Sequence, residues 1–145
     1  MNAALDIRLE KPHYLDYIRI RKEVGFGEVS PEQSQQSLDN SLFFVCVYQA
    51  EKLVGFGRVV GDGVLFFYIS DVVVSPQAKG QGVGSMLMNE IISYLKKSAT
   101  RLSTIALLTA PGKEGFYTKF GFEICPNKYF GQGLSYLKLI ELDTS

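Results

Sequence analysis

Glycines at 80, 82 and 84 follow a β-branched run and precede an apolar stripe of helical spacing. Val72, Val73 and Val74 suit a strand. Pro76 ends it, because proline has no N–H to give to a ladder. The three glycines let a bulky group approach the backbone. The helix that follows aims its unpaired N–H groups and positive dipole end back at the turn. Lys79, Gly80, Gln81, Gly82, Val83, Gly84 and Ser85 therefore read as a cradle for an anion, first of all a phosphate or pyrophosphate. The plain alternative is a structural turn. Just upstream, Asp71 puts a carboxylate inside an apolar strand run, a costly placement unless the group is paired or used.

Two familiar phosphate loops do not fit. A dinucleotide fingerprint would place glycine or alanine at position 85, where serine stands, and an acidic residue about 20 positions on. That region reads Arg101-Leu102-Ser103-Thr104. The nucleotide P-loop needs its lysine after the last glycine, whereas Lys79 precedes the first.

Fifteen basic and fifteen acidic residues cancel. Bulk charge thus gives no reason to expect nucleic acid or an anionic membrane as partner. Asp6, Arg8, Glu10 and Lys11 argue against a signal peptide, and runs such as Leu42 to Tyr48 are strand-sized, not membrane spans. Cys46 and Cys125 lie in apolar stretches without metal spacing, so buried free thiols and no metal are expected. His13, the only histidine, sits near a helix start and reads as a surface residue. A cytoplasmic chain forming a single domain over 1–145 is the expectation.

The elements that must position the loop follow from periodicity. Residues 5–9 alternate as a short strand. A helix runs from after Pro12 to about Val24, with Tyr14, Leu15 and Ile18 on its apolar face. Residues 25–29 are a flexible break, and Ser30-Pro31-Glu32-Gln33 opens a second helix to about Asp39. Strands over 42–49, 53–60 and 64–74, joined by tight turns, make an antiparallel meander. The last is apolar nearly throughout, which predicts helices over both faces of the sheet. A helix over 82–98 buries Val83, Leu87, Met88, Ile91 and Leu95. Then come a strand at 102–109, a short helix at 113–120, a brief strand at 122–125, a loop at 126–133 and a final strand at 134–142. The order is α+β rather than a βαβ array.

With these elements in place, Lys79-Gly80-Gln81-Gly82-Val83-Gly84 resembles the Arg/Gln-x-x-Gly-x-Gly/Ala signature of the Gcn5-related N-acetyltransferases. Phe116-Tyr117-Thr118-Lys119-Phe120-Gly121-Phe122 resembles that family's second block, and the element order matches along nearly the whole chain. The resemblance implies an acyl-CoA N-acyltransferase fold, a twisted, mostly antiparallel central sheet with helices on both faces. It implies acetyl-CoA as co-substrate, no metal, and a primary amine of a small molecule or protein as acceptor. Backbone groups along Val72, Val73 and Val74 would hold the pantetheine arm, and residues 79–85 the pyrophosphate. Lysine at 79 keeps the charge of the usual arginine but loses its planar fork, which shifts weight to backbone N–H groups. Tyr117 matches the proposed general acid; a phenol near pKa ~10 and a thiol near ~8.5 exchange a proton almost evenly. Beside Phe116 it could equally be a packing aromatic.

Of the two candidate bases for the amine proton, Asp71 is preferred to Glu28 because of its costly place in an apolar strand, and ordered water is an equal rival. Phe26, Glu28, Tyr129 and Phe130, on the 25–30 break and the 126–133 loop, are the candidate acceptor contacts, and no acidic cluster marks a polycationic acceptor. Phe130 or the final strand could pair two copies as a homodimer. A non-catalytic acyl-CoA sensor on the same fold is the alternative, and a nucleotide-binding module a weaker third.

Overall fold

The computed structural model describes residues 3–137. The chain divides into two compact units, residues 1–107 and 108–145.

The first unit is a five-stranded sheet in the order β1 (Leu5–Arg8), β2 (Phe43–Gln49), β3 (Lys52–Gly61), β4 (Phe66–Val74), β5 (Thr104–Ala106). All neighbours are antiparallel except β4 and β5. Helices α1 (Tyr14–Glu23) and α2 (Pro31–Asp39) come between β1 and β2, and α3 (Val83–Ser98) between β4 and β5. Strand parity separates two cores. Cys46, Tyr48 and Phe56 face α1 and α2, packing with Tyr17, Ile20 and Leu38. Val45, Val47, Gly55 and Gly57 face α3, whose Val83, Leu87 and Ile91 reach the glycine positions. Helices cover both faces, as the apolar strands required.

Side-chain capture of backbone N–H groups sets several boundaries. Ser30 and Gln33 form a reciprocal capping box that starts α2, of a kind contributing about 1 kcal/mol. His13 caps α1, its Nδ1 accepting from the Leu15 N–H at 3.1 Å. Asp62 Oδ1 accepts from the N–H groups of Val64, Leu65 and Phe66. That turn delays β4 to Phe66, two residues beyond the predicted start. Thr100 and Ser103 similarly close a turn, which keeps Leu102 out of β5 and shortens that strand from the expected 102–109. On α1 the buried residues are Tyr17 and Ile20, while Leu15 is exposed. Tyr14 packs against that core as the sequence predicts, and the stripe continues through Tyr17 and Ile20 rather than Leu15 and Ile18. The five apolar residues expected of α3 are all buried.

In the second unit, α4 spans only Glu114–Thr118. Three-residue-span bonds from Phe120 and Gly121 to Tyr117 and Thr118 end it, short of the expected 113–120. Residues 122–125 make no strand; the Phe122 N–H turns back to the Tyr117 carbonyl. Residues 134–137 have no regular structure, and the rest of the expected last strand lies outside the described residues.

The two thiols differ. Cys46 is buried, its Sγ donating to the Glu10 carbonyl at 3.3 Å, and burial pushes its pKa up to about 12. Cys125 is exposed, contrary to expectation. An aromatic disulfide reagent at mild alkaline pH should titrate one thiol per folded chain and two after denaturation; two fast thiols in the folded protein would contradict this burial.

A methyl group at Gly55 would collide with Val83 Cγ1 of α3. Gly55→Ala should cost about 1–3 kcal/mol, read as a lower urea midpoint at unchanged slope. Gly55→Ala combined with Val83→Ala should recover part of it. A single variant with the parent midpoint would disprove the close approach of α3 to β3.

Candidate active site

The pairing of β3 with β4 runs Phe56↔Val73 and then Arg58↔Ser70. Two residues, Asp71 and Val72, therefore oppose Gly57 in a bulge. Asp71 adopts φ 55°, a left-handed conformation unusual for a side-chain-bearing residue. Its carboxylate holds it there. Oδ1 accepts from Arg21 Nη1 at 2.6 Å; Oδ2 accepts from the Tyr17 hydroxyl at 2.6 Å and Arg58 Nε at 2.9 Å. The Asp71 side chain is 5% exposed. Removing it would strand two largely buried guanidinium groups, a loss on the order of 3–5 kcal/mol. Burial, then the bond to Asp71, raises the Tyr17 pKa, so its phenol remains a donor.

Beyond the bulge β4 runs past the end of β5. Its ladder with β5 covers only Phe66, Phe67 and Tyr68. Among the described residues no strand pairs with that side of Val72, Val73 and Val74. Such an edge can take an extended amide-bearing ligand as an added strand.

The chain leaves that edge through a one-turn 3₁₀ segment, Pro76–Ala78, with Ala78 buried beneath it. Gly80 and Gly82 have φ 82° and 80°, and a Cβ at either would meet no atom within 4 Å. Conformation, not crowding, demands glycine there, and the space above is open. Gly82 gives α3 no side-chain cap, and the first helical bond comes from the Met86 N–H. The N–H groups of Val83, Gly84 and Ser85 precede that bond and have no intrahelical acceptor. Gln81 ties the loop to the sheet, its Oε1 accepting from Gln49 Nε2 at 2.9 Å. Residues 79–85 hold no carboxylate and Lys79 is exposed, so this loop fits a pyrophosphate.

Phe26 lies against the Asp71 cluster. Its ring is 5.6 Å from the Arg21 guanidinium, and its carbonyl accepts from Arg21 Nη2. Glu28 pairs instead with Lys22 at 2.6 Å, and that hydrogen bond lowers its pKa. A cleft of about 480 Å³ opens between α2 and β3, lined by Val29, Gln33, Gln36, Ser37, Asn40, Arg58 and Val60. Sequence reasoning singled out neither Arg58 nor its partners Arg21 and Tyr17. The signal existed: Arg58 is the one charged residue between Leu53 and Val60, as anomalous there as Asp71 is in its own run.

In the second unit Tyr117 sits in α4, its ring edge-on to Phe116 at 5.1 Å and Phe122 at 6.2 Å. Both the acid and the packing alternatives suit that setting. Tyr129 and Phe130 are exposed, on a turn whose N–H groups Asn127 Oδ1 accepts. The first unit thus gathers Phe26, Asp71 and residues 72–74, whereas Tyr117, Tyr129 and Phe130 belong to the second.

The family model of the acetyltransferase (GNAT) domain matches residues 16–140. A crystal structure of a probable acetyltransferase from methicillin-resistant Staphylococcus aureus is 30% identical with TM-score 0.81, covering 92% of this chain and 100% of that one. A GNAT-family acetyltransferase from Streptococcus pneumoniae is 28% identical with TM-score 0.77, covering 92% and 97%. Among curated relatives, rice serotonin N-acetyltransferase 2, chloroplastic, is 33% identical over 112 residues, 74% of this chain and 55% of the relative. An uncharacterised ycf52-like N-acetyltransferase from Prochlorococcus marinus is 32% identical over 119 residues, 77% and 65%. The chain thus spans between about half and two thirds of the length of those two relatives. With the family match running from α1 through both glycine-bearing blocks, the chain belongs to the GNAT family of acetyltransferases.

Proposed function

We propose that residues 1–145 act as one N-acetyltransferase domain that moves an acetyl group from acetyl-CoA to a primary amine. The observation that carries this is the continuity of the open β4 edge with the uncapped, glycine-turned start of α3. An extended thioester arm and the pyrophosphate at its end need those two features in that order. The relative named for serotonin supports an amine as acceptor. Cytoplasmic placement remains the expectation; "chloroplastic" describes the rice relative.

Acetyl-CoA supplies an activated carbonyl. The amine nitrogen bonds to that carbon, the C–S bond breaks, the thiolate takes the Tyr117 phenolic proton, and the phenolate regains a proton from water. The nitrogen must lose a proton. Asp71 is a poor base here, because three donors occupy its oxygens and water barely reaches it. Glu28 is weakened by Lys22. Proton loss to ordered water is left as the better route, with Asp71 shaping β4. Val72 to Val74 and residues 79–85 hold the cofactor. The first unit offers Phe26 and, from the α2–β3 cleft, Arg58 as acceptor contacts, and Tyr129 and Phe130 are the candidates in the second.

Calorimetry should detect acetyl-CoA binding, and thiol release should follow addition of a suitable amine. Tyr117→Phe should lower kcat roughly 100-fold while leaving acetyl-CoA Kd within about twofold. Unchanged turnover would remove Tyr117 from the mechanism. Absence of binding at millimolar acetyl-CoA would overturn the function itself, and binding without turnover on a broad amine panel would favour a sensor.

A further inference from the structure

The α2–β3 cleft has an unbalanced charge. Its lining contains Arg58 and no carboxylate. Arg58 Nε is committed to Asp71, and Nη1 to the Ser37 carbonyl and Ser41 hydroxyl. Nη2 has no partner among the described residues, and it is not one of the sealed polar atoms. Arg21 and Arg58 share the single charge of Asp71, so two positive groups against one negative leave one positive charge over. Arg58 is only 14% exposed, so water screens that excess poorly. A cleft-lining guanidinium with one uncommitted nitrogen suits a carboxylate. Gln33 strengthens the match: its Oε1 accepts from the Ser30 N–H, which leaves its NH₂ to donate. A polycation would find no counter-charge on these walls.

Resting on the acetyltransferase assignment, we propose that the acceptor carries a carboxylate that Arg58 reads. The substrate class is then an amino acid or similar amino-carboxylate, not a polyamine or other polycation.

Three probes of matched length test this: δ-aminovalerate, pentylamine and cadaverine. Each is assayed by thiol release and by saturation-transfer NMR binding to the protein saturated with coenzyme A. The kcat/KM for δ-aminovalerate should exceed the other two by roughly tenfold or more, the scale of one charge-assisted hydrogen bond. Arg58→Lys keeps a cation beside Asp71 without the fork and should shrink that ratio several-fold. Gln36→Glu lies on the exposed face of α2, leaves the Asp71 cluster intact, and should move the preference toward cadaverine. Equal or better use of pentylamine or cadaverine by the parent protein would overturn the proposal, as would a preference unchanged in both variants. If none of the three releases thiol, a broad amine panel tests the acetyltransferase assignment, and binding alone decides this inference. Preferential binding of δ-aminovalerate that weakens in both variants upholds it; equal binding of all three overturns it.

Discussion

A carboxylate closed in by two guanidinium groups and a phenol fixes the shape of β4. The bulge at Asp71 costs conformational energy, and it persists because releasing the side chain would expose two buried cations to an unpaired state. The bonds reach α1 through Tyr17 and Arg21, β3 through Arg58, and the end of α2 through the Ser37 carbonyl. One residue thereby locks both helices of one face to the middle of the sheet. Downstream of it the strand runs on with its far edge unpaired among the described residues.

The opposite face sets the other half of the proposed cofactor cradle. Gly55 and Gly57 give α3 room to lie close on β3, and the buried stripe from Val83 to Leu95 holds it there. The chain runs from the end of β4 through Pro76–Ala78 and the glycine turn into that helix start. Side-chain capping would consume the N–H groups of that start, and Gly82 supplies none. Packing on one face and a charge cluster on the other meet at a strand end with unfilled hydrogen-bonding groups. Few functions other than holding an extended, anionic ligand would require both.

Much of this was legible in residue order. Local, periodic signals survived: the meander, the α3 stripe and the Ser30 capping box are properties of a few neighbouring residues. What failed depended on partners distant in sequence or on turn chemistry. Asp62 and Thr100 take backbone N–H groups out of strands that hydropathy alone would extend. The α1 stripe slipped because Tyr17, polar at its tip, is buried to reach Asp71 54 residues away. Asp71 stands out in the sequence by its anomalous position, whereas its partners Arg21 and Arg58 become visible only in the fold. Pairing each charge in an apolar strand with the opposite charge in the neighbouring strand would have found that cluster.

Amide hydrogen exchange with and without coenzyme A tests the central claim, that the β4 edge and the α3 start form one ligand site. Saturating coenzyme A should slow exchange in segments covering 72–74 and 82–86 and leave the β2 segment 43–49 unchanged. Bound coenzyme A that protects other segments and leaves both of these unaltered would contradict it.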